Sequence, residues 1–120
     1  MASFKDLIIW QKSLELYKVI SEKCQKFPQN RVAYNLMDQV LRSTGSMSAN
    51  IAEGYGRGGD KEFIRYLIIA KGSLDETIDW LYKALALNYI TKVELIALEE
   101  KLNDIRKMIC VFISKIKKRI

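Results

Sequence analysis

The strongest constraint on the fold lies in the last quarter of the chain. Leu95, Leu98, Leu102, Ile105, Ile109, Phe112 and Ile116 alternate by three and four. That spacing sets all seven on one face of an α-helix, with every core position apolar over three heptads. A seam of this kind is stable in water only when other helices cover it. Thr91 followed by Glu94 is a T-x-x-E capping box, which places the start of this helix.

Three further helical patterns precede it. The first is predicted from about Phe4 to Lys26, with Ser3 as N-cap and Asp6 as capping-box partner. Its seam is Leu7, Trp10, Leu14, Tyr17, Ser21 and Cys24, and Phe27-Pro28 ends it. The second is predicted from about Arg31 to Tyr55 on a stripe of Leu36, Val40, Met47 and Ile51. The run Ser43 to Ala49 is poor in helix formers. The apolar period continues through it, so the helix is read as unbroken, with small residues that admit a close neighbour. Gly54, Gly56, Gly58 and Gly59 form the next connection, and Asp60 is the expected N-cap of a third helix reaching about Asn88. Its main stripe is Phe63, Leu67, Ala70, Leu74, Ile78, Leu81 and Leu85. Four helices of about 25 residues, about 37 Å each, with short connections, predict an all-α, up-down-up-down antiparallel four-helix bundle in one domain.

The third helix carries a second stripe of Tyr66, Ile69, Ser73, Thr77, Trp80, Ala84 and Leu87, about 100° from the first. The first helix adds Ile9, Leu16 and Ile20 away from its seam. This apolar arc is wider than one bundle core requires and is read as a self-association surface, with Tyr66, Ile69, Trp80 and Leu87 as interface candidates.

Composition narrows the chemistry. The 120 residues contain no histidine, which removes the commonest general base and metal ligand. Cys24 and Cys110 are isolated, lack metal-ligand spacing and are both read as buried free thiols. Gly54 to Gly59 contains G-x-G-x-x-G, but it follows a helix rather than a strand, so no dinucleotide is expected there. Glu53 and Glu62 near this loop, and Asp75, Glu76 and Asp79 on the third helix, have no nucleophile or metal partner. No enzyme, cofactor or metal is expected. No apolar run approaches the roughly 18 residues of a membrane span, and no signal-peptide pattern opens the chain. The expected location is cytoplasmic.

The formal charge is +6, and residues 91–120 hold +4 of it. That stretch ends Lys115-Ile116-Lys117-Lys118-Arg119-Ile120, more cations than a helix C-terminus requires. Arg57 and Lys61 stand beside the glycine loop at a helix N-terminus, a place suited to a phosphate. The same loop reads slightly better as a turn needing positive φ. Arg42 is a further candidate, either as a nucleic-acid contact or as the partner of Glu53. These cations point to RNA or DNA bound through phosphates. The competing reading is a structural or protein-interaction oligomer, an adaptor without direct nucleic-acid binding.

Trp10-Gln11-Lys12, Phe27-Pro28, Gln39, Arg42, Ser46 and Ala49-Asn50-Ile51-Ala52-Glu53-Gly54 with Arg57 resemble the bacterial four helix bundle protein family. Its members are encoded in intervening sequences of 23S rRNA genes. Lys61-Glu62-Phe63, Leu67, Ile69-Ala70, Gly72-Ser73-Leu74 and Glu76 continue the likeness. The family is similar to the accessory protein of diversity-generating retroelements, a basic barrel of five four-helix bundles that binds nucleic acid and the reverse transcriptase. The resemblance implies a homopentamer, a nucleic-acid-associated role without catalysis, and a protein partner such as a reverse transcriptase. The chain departs from the family at Leu41-Arg42, where many members have two arginines, and at Ser48, where many have proline. Asn50 and Glu53 are read as functional or as groups that satisfy a helix end.

Overall fold

Each helix follows from an apolar seam and a local start signal. In the computed structural model, which describes residues 3–120, a 3₁₀ turn at Phe4–Asp6 leads into α1 (Ile8–Cys24), α2 (Arg31–Gly56), α3 (Asp60–Ala86) and α4 (Lys92–Lys117). Among the described residues there is no strand. The helices pack around the ring in chain order, each antiparallel to the next. The α2/α3 seam is the most extensive and the α1/α4 seam the sparsest. The bundle measures 48 × 21 × 19 Å.

The capping signals hold best at the start of α4. Thr91 Oγ1 accepts from the Glu94 N–H at 3.1 Å, and Glu94 Oε1 accepts from the Thr91 N–H at 2.9 Å. The Glu94 carboxylate also accepts from Lys23 at 3.0 Å, tying α4 to α1. The backbone bond to Thr91, with Lys23 behind it, holds its pKa below the usual range. α3 ends two residues earlier than expected. Tyr89 N–H bonds to Ala84 O and Asn88 N–H to Leu85 O, both at 2.9 Å. With Asn88 at φ 62°, this is a Schellman stop, which asparagine tolerates in place of glycine.

The first helix departs from expectation. Leu14 and Tyr17 are exposed, whereas Ile9, Leu16 and Ile20 are buried. The cause is the 3₁₀ turn. Ser3 Oγ accepts from the Lys5 N–H rather than forming a capping box with Asp6, and Leu7 is extended before α1 begins. Counting from Leu7 therefore puts the seam out of phase. The true seam is Ile9, Ser13, Leu16, Ile20 and Cys24. Ser13 is tolerated there because its hydroxyl donates to Ile9 O at 2.8 Å.

The helix through Ser43 to Ala49 is unbroken. Its hydroxyls join α2 to α3: Ser43 and Thr77 share a 2.8 Å hydrogen bond, and Ser46 and Ser73 one of 2.9 Å. Thr77 and Ala84, assigned above to the outer stripe, are thus buried in the α2/α3 seam. In α4 all the seam residues are buried except Phe112, which is half-buried against Phe63; Ile113 completes the core in its place.

Only one of the two thiols is buried. Cys24 lies in the core, and burial pushes its pKa to about 11, whereas Cys110 is exposed on α4. Iodoacetamide at pH 8 is expected to modify Cys110 in the folded protein and Cys24 only after denaturation, as read by peptide mass spectrometry. Equal labelling of both in the native state would contradict this packing.

Candidate nucleic-acid interface at one end of the bundle

The antiparallel order gathers the start of α1, the end of α2, the start of α3 and the end of α4 at one end. A cleft of about 510 Å³ there is lined by Leu7, Tyr55, Gly58, Asp60, Phe63, Phe112 and Arg119, with Gly59 at its edge. Gly54 and Gly56 belong to α2, so the connection is only Arg57, Gly58 and Gly59. Gly58 has φ +82°, the positive value that a turn needs. Gly54 serves a different purpose: a Cβ built on it would lie 2.5 Å from the Tyr66 Cβ, so α2 and α3 touch there.

Of the seven candidate cations, six lie at this end: Arg57, Lys61, Lys115, Lys117, Lys118 and Arg119. Arg42 does not. It lies some 14 residues, about 21 Å, back along α2. It is exposed, and Glu53 instead binds Arg57 at 2.8 Å. The proposed Arg42–Glu53 pair is therefore absent, because eleven residues of helix, about 16 Å, separate the two. Asn50 is half-buried, and its amide donates to Ser46 O and Ser46 Oγ, both at 2.8 Å, within α2 itself.

The six cations are not equivalent. Arg119 donates to both Asp60 oxygens, at 3.0 and 3.1 Å, and so fastens the end of α4 to the start of α3. Asp60 is the first residue of α3, with Gly59 as the N-cap, which corrects the expected Asp60 cap. Its carboxyl is held below the usual range by the Arg119 hydrogen bond. This tie is complete above the ordinary aspartate pKa and is released as pH falls through the lowered one. Asp60 and Glu62 place the chain's own carboxylates in the first turn of α3. Arg57 lies over the Tyr66 ring, 5.4 Å from its centroid, with Arg65 over the same ring at 4.7 Å. Arg65 in turn donates to Glu62. Lys61, Lys115, Lys117 and Lys118 are exposed and, among the described residues, have no ion-pair partner. Arg65 was missed by sequence reading, although its i,i+3 spacing from Glu62 was a signal.

The interface candidates lie along the outer side of the α2/α3 seam. Ile69 and Leu87 are exposed, and Tyr66 and Trp80 half-buried. Trp80 Nε1 donates to Glu76 at 3.1 Å, and the Lys83 ammonium stands 4.2 Å from the Trp80 ring centroid. Trp80, Leu87, Val32 and Gln39 line a groove of about 480 Å³. No group of three or more acidic or cysteine side chains is placed to hold a metal ion among the described residues, and no helix there is long and apolar enough to cross a membrane.

An antiparallel bundle of four helices, with Lys115, Lys117 and Lys118 where α4 ends, places the chain among the all-α bundle proteins. Residues 5–111 match the 23S rRNA-intervening sequence proteins, and the chain belongs to that family. Among solved structures it is similar to a protein of unknown function from the S23 ribosomal protein family of Bacteroides thetaiotaomicron. The two are 27% identical with a TM-score of 0.80, over 88% of this chain and 98% of the other. No curated protein matches.

Proposed function

We propose that the protein is a non-enzymatic, basic, oligomeric bundle that associates with RNA or DNA through phosphate contacts, with little sequence preference. The observation that carries this reading is the gathering of Lys61, Lys115, Lys117 and Lys118, unpaired among the described residues, at one end of the bundle. Such a cluster attracts a polyanion without reading bases. The resemblance to the retroelement accessory protein supplies a homopentamer and a protein partner of the reverse-transcriptase kind. The outer edge of α3, with Tyr66, Ile69, Trp80 and Leu87, supplies the self-contact. Five copies of the basic end around one axis would multiply its field.

Light scattering is expected to give a mass near five chains, and Trp80→Ala to reduce it. Binding to RNA and DNA of unrelated sequence is expected to weaken about tenfold or more between about 50 and 200 mM salt. Changing Lys61, Lys115, Lys117 and Lys118 together to Gln is expected to remove most of that affinity evenly across sequences. Arg119 is kept because it holds Asp60. Binding indifferent to the four changes overturns the assignment. A second reading, an adaptor without direct nucleic-acid binding, draws on the apolar groove around Trp80 and Leu87. It takes precedence if no binding is detected at 50 mM salt.

A further inference from the structure

The sparsest seam of the bundle, between α1 and α4, opens at the basic end into a groove of about 520 Å³. Leu7, Ile9, Met108 and Phe112 lie along its floor. Ile8 and Val111 stand at its edges and are 58% and 54% exposed, although both are β-branched apolar residues. Lys107 and Lys115 line it as well, one turn to either side of Val111 on α4, and outnumber the one carboxylate of the lining, Asp6, which is itself engaged. Neither lysine has an ion-pair partner among the described residues. We propose that this groove docks an acidic amphipathic helix of a partner protein.

The shape and the charge both select that occupant. A trough between two antiparallel helices accepts a third helix laid along it, held by apolar anchors spaced at i, i+3 and i+4. Ile8, Val111 and the floor supply the apolar contact. Lys107 and Lys115 are two turns apart, about 12 Å, so carboxylates two turns apart on the docked helix meet both. The apolar floor offers no donor to a phosphate, so a nucleic acid that meets Lys115 at the bundle end does not fill the groove itself. A second copy of this chain fits poorly. Most carboxylates of its two acidic–apolar stretches are engaged: on α3 Asp75 by Arg106, Glu76 by Trp80 and Asp79 by Lys83, and on α4 Glu94 by Thr91 and Lys23 and Glu99 by the Tyr82 hydroxyl.

The test uses the full-length protein and two labelled helical peptides. One has leucines at i, i+3 and i+4 flanked by glutamates, and the other carries lysines in place of the glutamates. By fluorescence anisotropy the glutamate peptide is expected to bind at least about tenfold more tightly than the lysine peptide. The I8E/V111E protein, altered only at exposed positions, is expected to lose about tenfold or more in affinity for the glutamate peptide, with its circular dichroism and light-scattering mass unchanged. The K107E/K115E protein is expected to prefer the lysine peptide. Absence of binding, equal binding of both peptides, or full affinity in I8E/V111E overturns the proposal. A fall in assembly mass in I8E/V111E assigns the groove to a second copy instead. Capture of the wild type, but not of I8E/V111E, by phosphatidylserine vesicles assigns it to a membrane surface.

Discussion

Gly54→Ala is expected to lower the unfolding free energy by about 1–3 kcal/mol. Helix propensity alone argues the other way: alanine in a helix interior is favoured over glycine by about 1 kcal/mol. The steric term wins because of what the new methyl meets. It would lie 2.5 Å from the Tyr66 Cβ and 3.1 Å from a ring carbon of Phe63. A Cβ is fixed to its own backbone and does not turn aside, so α2 and α3, which form the most extensive seam of the bundle, have to separate at this point. Urea unfolding followed by circular dichroism measures this, and a variant more stable than the wild type would refute the close approach.

Thr77→Val is expected to cost about 1–3 kcal/mol, although the two side chains have nearly the same shape. No cavity forms, so the loss belongs to the hydroxyl. Thr77 Oγ1 shares 2.8 Å with Ser43 Oγ and donates to Ser73 O at 2.9 Å. Both side chains are fully or almost fully buried, and valine leaves Ser43 with only its 3.1 Å bond to Val40 O. Removing both hydroxyls in Ser43→Ala/Thr77→Val is expected to cost less than the sum of the single changes. Strict additivity in that cycle would mean that the two hydroxyls do not interact.

Legibility differed from helix to helix for physical reasons. α4 was read almost residue for residue because its seam has no polar member. The one shift, Ile113 joining the core while Phe112 leans on Phe63, depends on the partner helix. α1 was misread because a buried serine interrupts its seam and a 3₁₀ turn resets its phase; Ile9, Leu16 and Ile20 were visible as a stripe but were assigned to self-association, and they belong to the bundle core. The basic end was half legible. Its cations were visible as a run and beside a glycine loop. That they meet follows only from the antiparallel order, and the Arg119–Asp60 pair joins residues 59 positions apart. The Glu53–Arg57 pair, by contrast, obeys the i,i+4 rule and was open to reading.

The uneven seams also set an order of assembly. α2 and α3 share the largest contact and are joined by three residues, so their pairing closes a short loop at little entropic cost. α1 and α4 lie at opposite ends of the chain, and their contact is the sparsest in the ring. The hairpin of α2 and α3 is therefore the natural folding nucleus, and the α1/α4 seam the last to zip and the first to breathe. Amide exchange is fastest, on this account, along the two outer helices. The molecule is built as a hairpin of α2 and α3 clasped by two arms that share little contact with each other.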